Sequence, residues 1–463
     1  MELTQKQYKL NYAFLAGLMI LALPIVFLIY KDKLMMIGVY IAALSAFGLI
    51  FFPRIPFFLF LLSICVYAPT MIGIFALHPF DVFFALFIMA MIADYLLNHK
   101  TKSYKTVLDL PFIFLLAAAI ISALFAYNKS YAIIPCFRIL TIYAAYKCFM
   151  IVLEKITLRK VILFYIYMVF VHALINIVLF LIAGGQSRIF GPSWLAFETF
   201  AMTAIPMTFA FFIWSKNNAE KFRYALIAVV ILMALLATQS RAPLLAVVIS
   251  FTILLISSYR KMDESQKIVY RGNLLKIFIV VLIAIAMMVV FKDSLFKNAF
   301  ERIATLFESF QSPKETVYLR IVLWTAAIKA FLMSPLTGIG IGNFRLVGEI
   351  IPEMRFYPVW YYISGMSAHN VMLHYLAEIG ILGTGSFIAL VVLNIKRALK
   401  NYSGDQTLEQ RQVSSAIFIA IVVFSVTILY MRAWTWGQEG YLMALLFALN
   451  IYHYNKTKAV QSA

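Results

Sequence analysis

The segment Ser367-Ala368-His369-Asn370-Val371-Met372-Leu373-His374-Tyr375-Leu376-Ala377-Glu378-Ile379-Gly380-Ile381-Leu382-Gly383 sets two histidines and a carboxylate at a boundary, where a hydrophilic stretch gives way to an apolar run reaching Asn394. Imidazole titrates near neutrality and can take a proton from an attacking hydroxyl. His369 stands at the start of the helix that this pattern predicts. There the positive end of the macrodipole disfavours imidazolium and keeps a ring nitrogen available as a base. An Asn-His helix start, here His369-Asn370, also suits a simple helix cap. His374 and Glu378 are four residues apart and share a helix face. That spacing suits a buried pair that orients the helix, with His374 as a reserve base. Gly380, Gly383 and Gly385 read as positions where small residues let neighbouring backbones approach.

Arginines supply the complementary charge. Arg188 lies in Gln186-Ser187-Arg188-Ile189-Phe190-Gly191, Arg241 in Thr238-Gln239-Ser240-Arg241, and Arg320 follows Tyr318-Leu319. Arg432 sits in Tyr430-Met431-Arg432-Ala433-Trp434-Thr435-Trp436, beside tryptophans typical of a membrane surface. The guanidinium fork matches phosphate oxygens, so several arginines on one side of a membrane protein suggest a lipid-linked phosphate or pyrophosphate. Taken singly, each is also explained by snorkelling to the interface. The chain shows no P-loop, no external pair of metal-type carboxylates and no His/Cys ligand cluster. No metal or cofactor is expected, and the energy for a reaction would arrive in an already activated substrate.

The elements that must position these residues are transmembrane. Of 463 residues, 64% are hydrophobic and 13% charged, and the mean hydropathy is +0.92; soluble domains carry roughly a quarter charged residues. Apolar runs long enough to cross a bilayer, about 20 residues each, recur along the chain. They lie at about 12–30, 34–52, 55–77, 80–97, 110–127, 131–153, 161–183, 194–214, 224–238, 243–258, 275–291, 371–394, 413–430 and 441–454. The expectation is an all-α polytopic membrane protein with about 12 to 14 transmembrane helices. It divides into an N-terminal bundle (1–290), an extracytoplasmic loop carrying Arg320 (291–370) and C-terminal helices that begin at the His-Asn pair (371–463).

The net charge of +19 fits Lys and Arg concentrated in cytoplasmic loops rather than nucleic-acid binding. Basic loops at 99–105, 155–160, 216–223 and 260–276 alternate with poorer ones. Their alternation puts both termini in the cytoplasm, and Arg188, Arg241, the 291–368 loop and Arg432 outside it. Within that loop, Leu319 to Leu332 reads as an amphipathic helix, ended by Ser334-Pro335 and followed by turns at Gly338, Gly340 and Gly342. Cys65, Cys136 and Cys148 fall in apolar segments and suggest neither disulfide nor cysteine chemistry.

In order and spacing these residues resemble the O-antigen ligase and polymerase superfamily. The likeness rests on Arg188 to Gly191, on Thr238-Gln239-Ser240-Arg241-Ala242, and on Arg320-Ile321-Val322-Leu323-Trp324 running to the turn through Gly342-Asn343-Phe344. It is completed by His369-Asn370 with Glu378, Gly380 and Gly383. Relatives often carry a further histidine two positions before the His-Asn pair, where this chain has Ser367.

The resemblance implies a GT-C-like, inverting, metal-independent glycosyltransferase of the inner membrane. Its donor would be an undecaprenyl-pyrophosphate-linked glycan. Arg241 and Arg320 would hold the donor pyrophosphate, and His369 would deprotonate the acceptor. Arg188, Arg432 and His374 are further candidates for substrate contact. Three activities share these motifs: ligation to lipid A-core, polymerisation of repeat units on a growing glycan, and transfer to a pilin-like protein. The compact, basic external loop favours the ligase. A flippase for the same lipid-linked sugars is the competing class, kept open by Arg138 and Lys147 inside an apolar segment.

Overall fold

A computed structural model describes residues 53–64, 70–72, 75–77, 79–98, 105–182, 194–238, 240–264, 267, 272, 316–357, 360, 365–403, 407–430 and 437–462. The expected spans at 12–30, 34–52 and 275–291 lie outside the described residues. Six described helices are long and apolar enough to cross a membrane: 79–96, 129–152, 158–182, 242–260, 371–403 and 408–427. Three shorter apolar helices cover 54–63, 109–124 and 197–213. The chain is therefore helical and of polytopic membrane character.

The expected span at 55–77 is not one helix. Helix α1 (Arg54–Ser63) is followed by a short antiparallel hairpin, β1 (Thr70–Ile72) with β2 (Phe75–Leu77), in which Thr70 faces Leu77 and Ile72 faces Phe75. Pro69 lacks the amide a helix interior needs.

The chain forms two compact units, residues 1–60 with 81–101, and residues 61–80 with 102–463. In the first, Phe57 and Phe60 of α1 pack on Phe87 and Phe84 of α2 (Pro79–Asn98), with ring centroids 5.7 and 5.2 Å apart. The second holds α3 (Asp109–Leu124), α4 (Lys129–Val152), α5 (Leu158–Ile182), α6 (Trp194–Ile213), α7 (Asn218–Ala237) and α8 (Arg241–Arg260). After these come α9 (Thr316–Met333), a single turn α10 (Val347–Ile350), α11 (Val371–Ser403), α12 (Leu408–Thr427) and α13 (Glu439–Ser462).

Within this second unit the helix ends gather at two opposite sides. On one, α12 begins where α5 begins and α6 ends: Gln412 Nε2 donates to the Trp214 carbonyl at 3.2 Å, and Arg159 Nε lies 3.9 Å from Glu409. Lys261, past the end of α8, stands 3.6 Å over the Tyr402 ring near the end of α11. Lys155, Arg159, Lys160, Lys216 and Arg260 all belong to this side. The other side gathers the end of α3 and the starts of α4, α6, α8 and α11. The 316–368 region is built on it. Here α9 turns a face of small residues, Ala326, Ala327 and Ala330 beside Val322 and Leu323, toward Ile339, Phe344, Val347, Ile351, Met354, Ala368 and Ala377. The alanines let the loop and α11 approach closely, while each fully buried larger side chain contributes about 1.5–3 kcal/mol. The helix expected at Leu319 to Leu332 is thus present as α9, and it packs on α11 rather than standing alone.

Candidate active site

The site is organised around a break. At Gly380 the backbone of α11 leaves helical geometry, with φ 62° and ψ −165°. The break frees the carbonyls of Ala377 and Glu378 and the amide of Ile381, which would cost several kcal/mol if left unpaired in an apolar setting. The glycine-rich turn after α9 takes up all three. Ile339 N donates to Ala377 O at 2.9 Å, Gly340 N to Glu378 O at 3.2 Å, and Ile381 N to Pro335 O at 2.9 Å. Ser122 at the end of α3 adds a second donor to Glu378 O at 2.6 Å, while its oxygen accepts from Ile341 N at 2.9 Å.

Glycine is required where these two backbones meet. Gly338 has φ +70°, and a Cβ there would sit 2.2 Å from the Glu378 carbonyl carbon; one on Gly380 would sit 2.3 Å from Leu336 O. Gly380 was expected to serve packing inside a continuous helix; it does allow close approach, but as the point where the helix breaks. Gly383 packs against the side chain of Ile379, whereas a Cβ on Gly385 would meet nothing within 4 Å, so close approach does not account for Gly385.

The helical turn before the break carries the acid–base pair. His374 and Glu378 are both fully buried, with His374 Nε2 3.3 Å from Glu378 Oε2. The other carboxylate oxygen accepts from Phe344 N at 3.0 Å, and His374 Nδ1 accepts from Ala368 N at 3.4 Å. Nδ1 is thus the acceptor, and Nε2 is the ring nitrogen that faces the carboxylate. Glu378 therefore ties the glycine turn to α11, and His374 ties down the segment leading into His369. Complete enclosure suits His374 to that role rather than to touching substrate.

His369 itself lies outside the helix. Its φ of 49° makes it the only described non-glycine residue with positive φ, a region that costs most residues about 1–3 kcal/mol. Asn370 is the cap: its Oδ1 accepts from Leu373 N at 3.1 Å and its carbonyl from His374 N at 2.9 Å. His369 thus stands half-buried just ahead of the cap. The first amide of α11, Val371 N, donates across to Ile428 O just past α12, at 2.9 Å.

That bond leads to a second cluster. Tyr430, two residues beyond Ile428, reaches Met202 Sδ on α6 at 3.1 Å. One turn before Met202, Glu198 Oε1 accepts from the hydroxyl of Ser240, the residue before α8. Burial pushes the Tyr430 phenol above its usual range; the Glu198 carboxylate adds to this and the Arg320 cation opposes it. Burial lowers the pKa of Arg320, near the start of α9, and Tyr430 opposes this; a guanidinium stays a cation even in such a partly desolvated place. Ser240 and Glu198 are thus bonded, and the charges of Glu198 and Arg320 both act on Tyr430, which stands two residues beyond the Val371–Ile428 bond to the segment bearing His369.

Arg241 is the first residue of α8, adjacent to Ser240; its side chain lies outside the described atoms. Arg188 and Arg432 also lie outside the described residues. Glu198 and Tyr430 were not anticipated from sequence. A lone carboxylate within the apolar run from Trp194 was the signal available for Glu198.

Residues 226–388 match the family model Wzy_C, described as O-antigen ligase. The matched stretch contains Arg241, Arg320, His369, Asn370, His374, Glu378, Gly380 and Gly383 and leaves Arg188, Glu198, Tyr430 and Arg432 outside it. No curated protein matches the chain. The match covers the broken helix, the glycine turn and two of the arginines, and it supports, for residues 226–388, a likeness to the O-antigen ligase family, in keeping with the resemblance carried by those residues.

Proposed function

We propose that the protein is an O-antigen ligase-like glycosyltransferase, moving a glycan from undecaprenyl pyrophosphate to an acceptor hydroxyl of lipid A-core on the outer face of the cytoplasmic membrane. In this reading His369 accepts the acceptor's proton as its oxygen attacks the anomeric carbon. The bond from that carbon to the pyrophosphate oxygen breaks, configuration inverts, and undecaprenyl pyrophosphate leaves with its charge spread over phosphate oxygens. Arg320 and Arg241 meet that charge, with Arg188 and Arg432 as further contacts. Fixed cations in a dry site stabilise developing charge more than they would in water. His374 and Glu378 hold the loop and helix on which His369 is mounted.

The observation that carries this reading is the Val371–Ile428 bond, which couples the His369 segment to the end of α12, where Tyr430 feels the charge of Arg320. A base and a phosphate-binding cation on one connected framework are what the reaction needs. The compact, basic external loop at 291–370 favours the ligase over the polymerase. Polymerisation of lipid-linked repeat units would use the same chemistry.

The test is direct. Purified protein is incubated with one defined undecaprenyl-pyrophosphate glycan and a choice of acceptors. Product on lipid A-core supports the ligase, and elongated lipid-linked glycan would mean a polymerase instead. Absence of any new glycosidic bond, with transbilayer movement of the donor in vesicles, would replace the enzyme by a flippase.

A further inference from the structure

We propose that Glu198 is a positioning residue for the donor site, tethering through Ser240 the start of α8, the helix whose first residue is Arg241. This rests on the transferase reading above and adds to it a residue that lies outside the matched family segment.

Ser240 has the extended backbone of a helix cap (φ −94°, ψ 117°), yet its side chain makes no capping bond to the amides of α8. A serine at this position ordinarily accepts from the first-turn amides. Here its hydroxyl proton goes across to Glu198 Oε1 on α6 instead. The local use of the side chain has been exchanged for a tertiary one. The next residue, Arg241, is a cation at the positive end of a helix, a placement the macrodipole opposes. Neither choice serves the stability of α8 by itself. Both are explained if the helix start is held for a function and a nearby carboxylate offsets the positive charge gathered there.

The tether has a second anchor on the same face of α6. Met202, one turn after Glu198 and buried, receives the Tyr430 hydroxyl at 3.1 Å, and α6, α8 and α12 pack on one another. Glu198 and Met202 thus fix two chain ends, the start of α8 and the end of α12. The charges of Glu198 and Arg320 both bear on Tyr430, with opposite effect.

The test uses purified full-length protein and separates donor from acceptor kinetics. Glu198→Ala and Ser240→Ala should each raise the donor KM roughly tenfold, as for a lost charge-assisted hydrogen bond, with the acceptor KM unchanged. The double variant should be no worse than Glu198→Ala alone, because the two changes remove one interaction. Glu198→Gln keeps an acceptor oxygen but not the charge, and should recover part of the loss. Unchanged donor kinetics in both single variants, a multiplicative loss in the double, or an effect confined to the acceptor would overturn the tether. If Glu198→Ala fails to fold, Ser240→Ala, which removes one hydroxyl, carries the same expectation. Wild-type protein that forms no glycosidic bond overturns the transferase reading and this one with it; active wild type with unaffected variants overturns the tether alone.

Discussion

His369 carries a backbone cost as well as a side chain. A histidine at φ 49° is in a region that glycine enters freely, so replacing it separates conformation from chemistry. His369→Gly should unfold at a temperature equal to or above wild type, while transfer falls by about 10²–10⁴, the usual worth of a general base. His369→Val should lose both. Thermal unfolding in detergent together with a transfer assay reads the two effects, and wild-type turnover by His369→Gly would remove the base. Arg320 allows a parallel separation. Arg320→Ala should cost roughly 10² or more in rate, and Arg320→Lys should recover only part of it, since a point charge replaces a two-pronged donor. Full activity in Arg320→Ala, with the protein made normally, would sink its role at the leaving group.

At the scale of elements, the decisive contact is between two backbones, the 335–341 turn and the break in α11. A methyl group on Gly338 or Gly380 meets main-chain atoms at 2.2–2.3 Å, where no flexible side chain can yield. Gly338→Ala and Gly380→Ala should each abolish monodisperse protein or lower its unfolding temperature sharply. Gly385→Ala, facing open space in a helical stretch, should be neutral or slightly stabilising, by up to about 1 kcal/mol. If all three glycines tolerate alanine equally, the break does not exist in solution. This contact also marks the limit of what sequence alone conveys. Hydropathy located the helix after Asn370, the helix before Ser334 and the turn glycines between them, because those signals are local. It could not reveal that Gly380 interrupts its helix, since an apolar run looks the same on either side of a left-handed residue. Glu198 was missed for a related reason: its partner Ser240 is 42 residues away, and nothing in the spacing of either announces the pairing. His374 and Glu378 were legible as a pair from their four-residue spacing, but their partners, the amides of Ala368 and Phe344, come from tertiary packing.

For the whole molecule, the grouping of helix ends turns a charge-counting argument into a geometric one. The ends near Lys155, Trp214, Lys261 and Gln412 lie together, opposite the side that bears the 316–368 region and the candidate site. Lysine and arginine accumulate on the first of these sides, as they do on the cytoplasmic side of membrane proteins. That distribution supports the proposed orientation, which a donor whose glycan is used outside the cytoplasm would need. Single cysteines test it. In a background with Cys65, Cys136 and Cys148 replaced by alanine, Glu353→Cys, on the exposed side of the loop, should react with an impermeant maleimide in intact spheroplasts. Lys155→Cys, exposed on the opposite side, should react only after the membrane is opened. The reverse pattern would turn the protein over and leave the arginines facing the cytoplasm, where a pyrophosphate-linked donor awaiting export could still be held but an outer-face acceptor could not reach His369. Labelling of both positions from outside would contradict the two-sided arrangement itself.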